Sequence, residues 1–139
     1  MKAREVMNKR ITAATPRAIG RDLAQQMLSG MYSGLPVVDA NNHVVGVVTE
    51  FDFLKAIADG KDLQTVKAAE IMGRPAVCVE EDDEIEMVIA KMTTHNFIRI
   101  PVVRDGKLVG LISRADILSR MLEPERVLEP AFVTLFDGK

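Results

Sequence analysis

Residues 44–54 read VVGVVTEFDFL, and residues 108–118 read LVGLISRADIL. Ahead of them stand LPVV at 35–38 and IPVV at 100–103. Over these 15 aligned positions 7 are identical and 6 more are similar; only Glu50/Arg114 and Phe51/Ala115 change character. Upstream, AREVM (3–7) answers AAEIM (68–72) and Met27 answers Met92, both at an offset of 65 residues. Chance does not produce such agreement. The chain is two copies of one unit, and repetition of this kind sets the architecture.

Each copy has the same layout. A short helical turn (AREVM, AAEIM) leads to a brief strand, ITAA or AVCV. In the first copy Thr15 offers an N-cap with Pro16 at the first helical position, and Ile19, Leu23, Met27 and Met31 recur at helical spacing. In the second, Asp83 and Glu86 have capping-box spacing, with Ile85, Val88, Ile89 and Met92 as the apolar stripe. Two strands follow in each copy, 35–39 with 43–49 and 99–103 with 107–112. Asp105-Gly106 is a strong hairpin signal; the first pair has the looser Ala40-Asn41-Asn42 turn. Helices over 50–58 and 114–122 close the copies.

The fold class is therefore α+β, β-α-β-β-α twice. Repeat 1 spans 1–58, a linker 59–67, repeat 2 68–122 and a tail 123–139. A unit of about 60 residues is marginal as an independent core, and two copies packed together solve that problem. Consecutive apolar residues in the strands predict that both faces are covered, one by helices and one by the partner repeat.

The 139 residues are 47% hydrophobic and 27% charged, an ordinary globular composition. No apolar run approaches the ~20 residues of a membrane span, and the charged start MKAREVMNKR does not read as a signal peptide. Eighteen basic against twenty acidic residues argue against nonspecific nucleic-acid binding. The lone Cys78 has no partner for an internal disulfide and reads as a buried strand residue in a cytoplasmic, reducing setting. His43 and His95 are too far apart in sequence to suggest zinc, and no metal is expected.

The paired motifs L/I-P-V-V and V-G-h-h-[ST]-x-x-D resemble the two halves of a tandem cystathionine-β-synthase (CBS) domain pair, or Bateman module. The similarity covers residues 3 to about 122. It implies two repeats packed sheet to sheet about a pseudo-twofold axis, with two clefts that commonly hold adenosine ligands. It also implies a homodimer and a regulatory role toward a protein partner, here read as a stand-alone module that requires no cofactor. AMP, ADP, ATP and S-adenosylmethionine are the ligands implied.

Thr49 with Asp52 and Ser113 with Asp116 are the sharpest site candidates. A carboxylate accepts hydrogen bonds from a ribose diol, and a hydroxyl where strand meets helix sits beside amides that favour phosphate. The resemblance gives them those roles. The same spacing is also a capping box that needs no ligand. Arg99 precedes the Ile-Pro pair, where similar modules carry a phosphate-reaching arginine, and a guanidinium clamps phosphate bidentately. Its counterpart in repeat 1 is Gly34, and the preceding Ser33 and Ile98 stand where those modules carry histidine, so binding stoichiometry does not carry over. Arg114 reads equally as a second positive charge near Asp116 or as an exposed first-turn arginine; with Arg99 and Arg114 set against Gly34 and Glu50 in repeat 1, the two clefts are expected to have unlike phosphate preferences. For adenine the resemblance implies Thr12 and Ala13 with Pro36 and Val37 or Val38, and Val77 and Cys78 with Pro101 and Val102 or Val103. Gly46 and Gly110, mid-strand, point to close packing or a bulge.

A noncatalytic adenosyl sensor is the leading reading. The alternative is a structural interaction module with empty clefts, in which the tail segment FVTLF (132–136) docks on a sister chain or partner. An enzyme fits poorly, because no phosphate loop of P-loop spacing and no nucleophile–base set is present. The acidic run 80–84 lacks calcium-loop spacing and reads as negative charge at a helix N-terminus.

Overall fold

The computed structural model describes residues 1–122 and 133–135; of the docking expectation for 132–136, both phenylalanines, Phe132 and Phe136, lie outside the described residues. The elements run α1 (Ala3–Val6), α2 (Gly20–Gly30), β1 (Gly34–Val38), β2 (Val44–Thr49), α3 (Glu50–Ala58), α4 (Ala68–Ile71), β3 (Val79–Glu80), α5 (Ile85–His95), β4 (Arg99–Arg104), β5 (Lys107–Ser113) and α6 (Arg114–Met121). β1 pairs antiparallel with β2, and β4 with β5. β3 runs parallel to β4 with Val79 opposite Val102; the matching bridge in repeat 1 sets Ala14 opposite Val37. The expected leading strands are thus shorter than their apolar letters suggest. Residues just before them leave the sheets to line clefts.

Both hairpins carry a register shift beside their mid-strand glycine, after Val37 opposite Gly46 and after Val102 opposite Gly110. Each glycine also lies under a methionine: a Cβ at Gly46 would fall within 3.0 Å of Met72, and one at Gly110 within 3.0 Å of Met7. Close packing and a bulge both explain the pair. Asp105 (φ 52°) and Gly106 (φ 80°) form the expected tight turn. In the first hairpin Asp39 accepts the amides of Asn41 and His43, each at 2.9 Å. These bonds, His43's foremost, hold its carboxyl below the usual range. The two turns meet: Val44 N–H donates to Gly106 O (3.2 Å) and Leu108 N–H to Asn42 O (3.0 Å).

The leading helices are exchanged between repeats. Ala3 and Val6 of α1 are buried in the second core with Val79, Val88, Ile100 and Ile112. Ala68 of α4 is buried in the first core with Leu23, Leu35, Val37 and Val48. The sequence places each short helix at the head of its own copy, and the chain packs it on the other.

This exchange also sets where α2 and α5 begin. Thr15 and Pro16 form a turn rather than an N-cap, and α2 starts at Gly20, whose amide donates to Val66 O at 2.7 Å. Ile85, the counterpart of Gly20, donates to Met1 O at 2.8 Å. Backbone carbonyls from the exchanged segments therefore supply the caps. Asp83 is not a cap, since its carboxylate accepts the Glu80 amide (2.9 Å) and Glu84 occupies the N-cap position. Ile19 and Met31 lie outside the helix and are exposed, whereas Leu23 and Met27 are buried. Segment 59–67 is more than a spacer, because Val66 is buried. The acidic run meets basic groups, Lys2 at Glu84, Arg4 at Asp82 and Arg104 at Glu81. Exposed pairs of this kind contribute little each.

Candidate functional site

Thr49 ends β2 and caps α3: its Oγ1 accepts the Asp52 amide (3.3 Å), while Asp52 Oδ2 accepts the Thr49 amide (2.7 Å) and hydroxyl (3.0 Å). Ser113 and Asp116 repeat the arrangement at α6, with Asp116 Oδ2 accepting the Ser113 amide at 2.8 Å and Ser113 Oγ accepting the Asp116 amide at 3.1 Å. Both capping boxes form. Each uses one carboxylate oxygen only; Oδ1 of each aspartate accepts nothing from the described residues. Capping and ligand binding are compatible at one aspartate.

Each motif opens on its own cleft. Thr49 and Asp52 face a cleft of about 800 Å³ whose other walls are Gly73–Val77 and His95–Arg99, with Pro36, Pro101 and Leu111 at its floor. Ser113 and Asp116 face a smaller one of about 160 Å³, with Asn8, Arg10–Thr12, Tyr32 and Arg99. Both clefts are built across the repeats, because the segment ahead of each leading strand crosses to the other copy's aspartate. Leu35, Arg99 and Leu111 line both and form the partition.

Of the residues singled out in the sequence, Thr49, Asp52, Pro36, Val77 and Pro101 come together in the larger cleft. Ser113, Asp116 and Thr12 come together in the smaller, and Arg99 belongs to both. Ala13, Val38, Cys78 and Val103 line neither. Val38 and Val103 lie beyond the register shift of their hairpins, opposite Val44 and Leu108, and Cys78 offers its carbonyl to Lys91 Nζ at 3.0 Å. Burial pushes the Cys78 thiol up to about 11. Arg114 is also outside both clefts, because its guanidinium donates to Phe97 O (2.7 Å) and to Asn96 O and Oδ1 (3.0 Å each). It caps the C-terminal end of α5, where backbone carbonyls lack helical partners. The charge difference between clefts therefore comes from Glu50 in the larger one, with Arg74 and Arg10 as the second cation of each.

The sequence reading missed Tyr32 and its counterpart Phe97, 65 residues on. Extending the repeat alignment three residues ahead of Leu35 and Ile100 would have paired these aromatics. Tyr32 OH and Thr12 Oγ1 share a hydrogen bond of 3.1 Å, the Arg99 Cζ lies 5.7 Å from the Tyr32 ring centre, and His95 stacks on Phe97 at 5.0 Å.

A family model described as CBS domain matches residues 3–59 and again 68–123. The chain belongs to the CBS domain family. Among curated relatives it is 30% identical over 116 residues to an uncharacterized protein of Methanopyrus kandleri, covering 82% of this chain and 59% of that one. It is 35% identical over 125 residues to an inosine-5'-monophosphate dehydrogenase of Methanocaldococcus jannaschii, covering 89% of this chain and 24% of the enzyme. The CBS pair thus spans less than two thirds of these relatives' own lengths. Among solved structures, the CBS domain pair of protein MJ0100, in complex with 5-methylthioadenosine and S-adenosyl-L-methionine, matches with a TM-score of 0.77 and 29% identity, covering 87% of this chain and 98% of that one. CBSX2 in complex with AMP matches at 0.77 and 25%, covering 90% and 98%. Hypoxic Response Protein I, solved with two coordinated zinc ions, matches at 0.80 and 28%, covering 88% and 100%. Among the described residues here, no group of three or more His, Cys, Asp or Glu is placed to hold a metal, and no helix is long and apolar enough to cross a membrane.

Proposed function

We propose that this CBS pair is a noncatalytic sensor that binds an adenosyl ligand between its repeats, with the Thr49/Asp52 cleft as the principal seat. The observation that carries the reading is the second oxygen of Asp52. The helix cap uses Oδ2, and Oδ1 accepts nothing from the described residues at the edge of a cleft of about 800 Å³. A ribose diol supplies two donors for such a carboxylate. Pro36, Val77 and Ile98 offer apolar walls to a purine, and Arg74 and Arg99 offer charge to a phosphate. The relatives solved with AMP and with S-adenosylmethionine support this ligand class. Binding regulates a partner only if the ligand prefers one conformation.

The alternative, a ligand-free interaction module, draws on the exposed apolar residues Phe51, Leu54 and Ile57 of α3 and Leu118 and Met121 of α6. The two helices are equivalent by pseudo-symmetry, and a second copy of the chain covers such a repeated face with twofold symmetry. Dimerisation is compatible with sensing.

A thermal-shift series separates the readings. The panel is AMP, ADP, ATP, NAD and S-adenosylmethionine, applied to wild type and to an Asp52→Asn, Asp116→Asn double variant that keeps an oxygen for each cap. A ligand at a hundred times its Kd adds roughly 2.7 kcal/mol, several degrees at this size. The sensor predicts a shift in wild type that the folded variant loses. No shift with any of the five favours the interaction module.

A further inference from the structure

Arg99 begins β4, and its pseudo-symmetric counterpart is Gly34, so one guanidinium stands where symmetry offers two positions. It lines both clefts. Half-buried, its guanidinium has no hydrogen bond or ion pair to the described residues and lies over the face of Tyr32, 5.7 Å from the ring centre. Tyr32 belongs to the smaller cleft alone and is fixed there by its bond to Thr12. The resting guanidinium therefore sits on the Ser113/Asp116 side of the partition. A cation–π contact at a partly exposed site is weaker than a bidentate, charge-assisted pair with phosphate. An anion in either cleft outbids the ring.

We propose that Arg99 is a single phosphate clamp shared by the two clefts. A phosphorylated ligand in the Thr49/Asp52 cleft withdraws it from Tyr32 and so weakens anion binding beside Ser113 and Asp116. The two sites then oppose each other for anionic ligands, while a neutral nucleoside leaves Arg99 on the ring. This inference rests on the adenosyl reading of the clefts and adds their coupling.

The chain supplies its own reporter, since Tyr32 is its one tyrosine and it has no tryptophan. In the Asp116→Asn variant, which leaves the larger cleft intact, AMP should change Tyr32 emission in step with the heat of binding. Adenosine should release heat and leave the emission unchanged. Arg99→Met, which keeps an apolar stem of similar reach, should abolish the AMP response. Calorimetry supplies the second arm: in Asp52→Asn, AMP binding at the smaller cleft should tighten about tenfold relative to its weak step in wild type. Adenosine should show no such tightening. If AMP binds with no change at Tyr32, or with the smaller cleft indifferent to Asp52→Asn, the shared clamp is overturned and the sensor stands. If AMP produces no heat with wild type the shared clamp falls, and the sensor falls with it when ADP, ATP, NAD and S-adenosylmethionine are silent too.

Discussion

At Asp52 and Asp116 a single side chain divides its two oxygens between folding and a cleft, which is why the capping-box and ligand readings of [ST]-x-x-D do not compete. Arg114 shows the opposite case. Its charge is consumed by the carbonyls that end α5, a partner 18 residues away from Arg114 in the chain. A cation's availability is decided by such tertiary partners, so the sequence left Arg114 open between a cleft charge and an exposed first-turn residue, and the structure places it in the exposed first turn of α6. Cys78 belongs at this scale too. Burial, against the pull of Lys91, raises its thiol to about 11 from an ordinary 9.0. The folded state therefore holds the proton more tightly than the unfolded chain. That stabilisation is complete below about pH 9 and is lost as pH climbs toward 11. Urea unfolding at about pH 8 and about pH 10 should show a larger loss of stability for wild type than for Cys78→Ala. Equal losses would place the thiol in water, and native Cys78 should also resist alkylation at neutral pH.

At the scale of elements, the hairpins were legible because turn chemistry and β-pairing are local: Asp105-Gly106 needs two left-handed residues, and the paired apolar runs need a partner strand. The helix starts were not. Thr15-Pro16 and Asp83 have the composition of caps, but the amides of Gly20 and Ile85 are satisfied by carbonyls of Val66 and Met1, contributed from outside the helix's own neighbourhood. Nothing within a window around α2 records that a distant segment will cap it. The mid-strand glycines are the local trace of the exchange, since each clears space for the methionine that follows an exchanged helix. Gly46→Ala would place a methyl within 3.0 Å of Met72, and overpacking of this kind costs about 1–3 kcal/mol. With Met72→Ala alongside, the double variant should be more stable than the sum of the single losses predicts, as read by urea unfolding. Strict additivity would mean that the methionine does not set the need for glycine.

Across the whole molecule, the 65-residue offset recurs in pairs the eye does not see in the sequence: Ala14–Val37 with Val79–Val102, Val66–Gly20 with Met1–Ile85, Tyr32 with Phe97. The exchange of α1 and α4 makes the two cores depend on each other and lays the segments after those helices across the opposite aspartates. The clefts are thus a consequence of how the repeats interlock, with no counterpart inside one copy. The two-copy architecture could be read from the letters, but the crossing could not, because either pairing of leading helix and core satisfies the same apolar pattern.

The most direct test is amide chemical-shift mapping of the full chain during an AMP titration. A ligand seated between the repeats predicts the largest shifts at Thr49–Asp52, at Gly73, Arg74, Ala76 and Val77, and at Asn96–Arg99, which lie on two different copies of the repeat. Shifts confined to one repeat, or to the outer faces of α3 and α6, would contradict that seat.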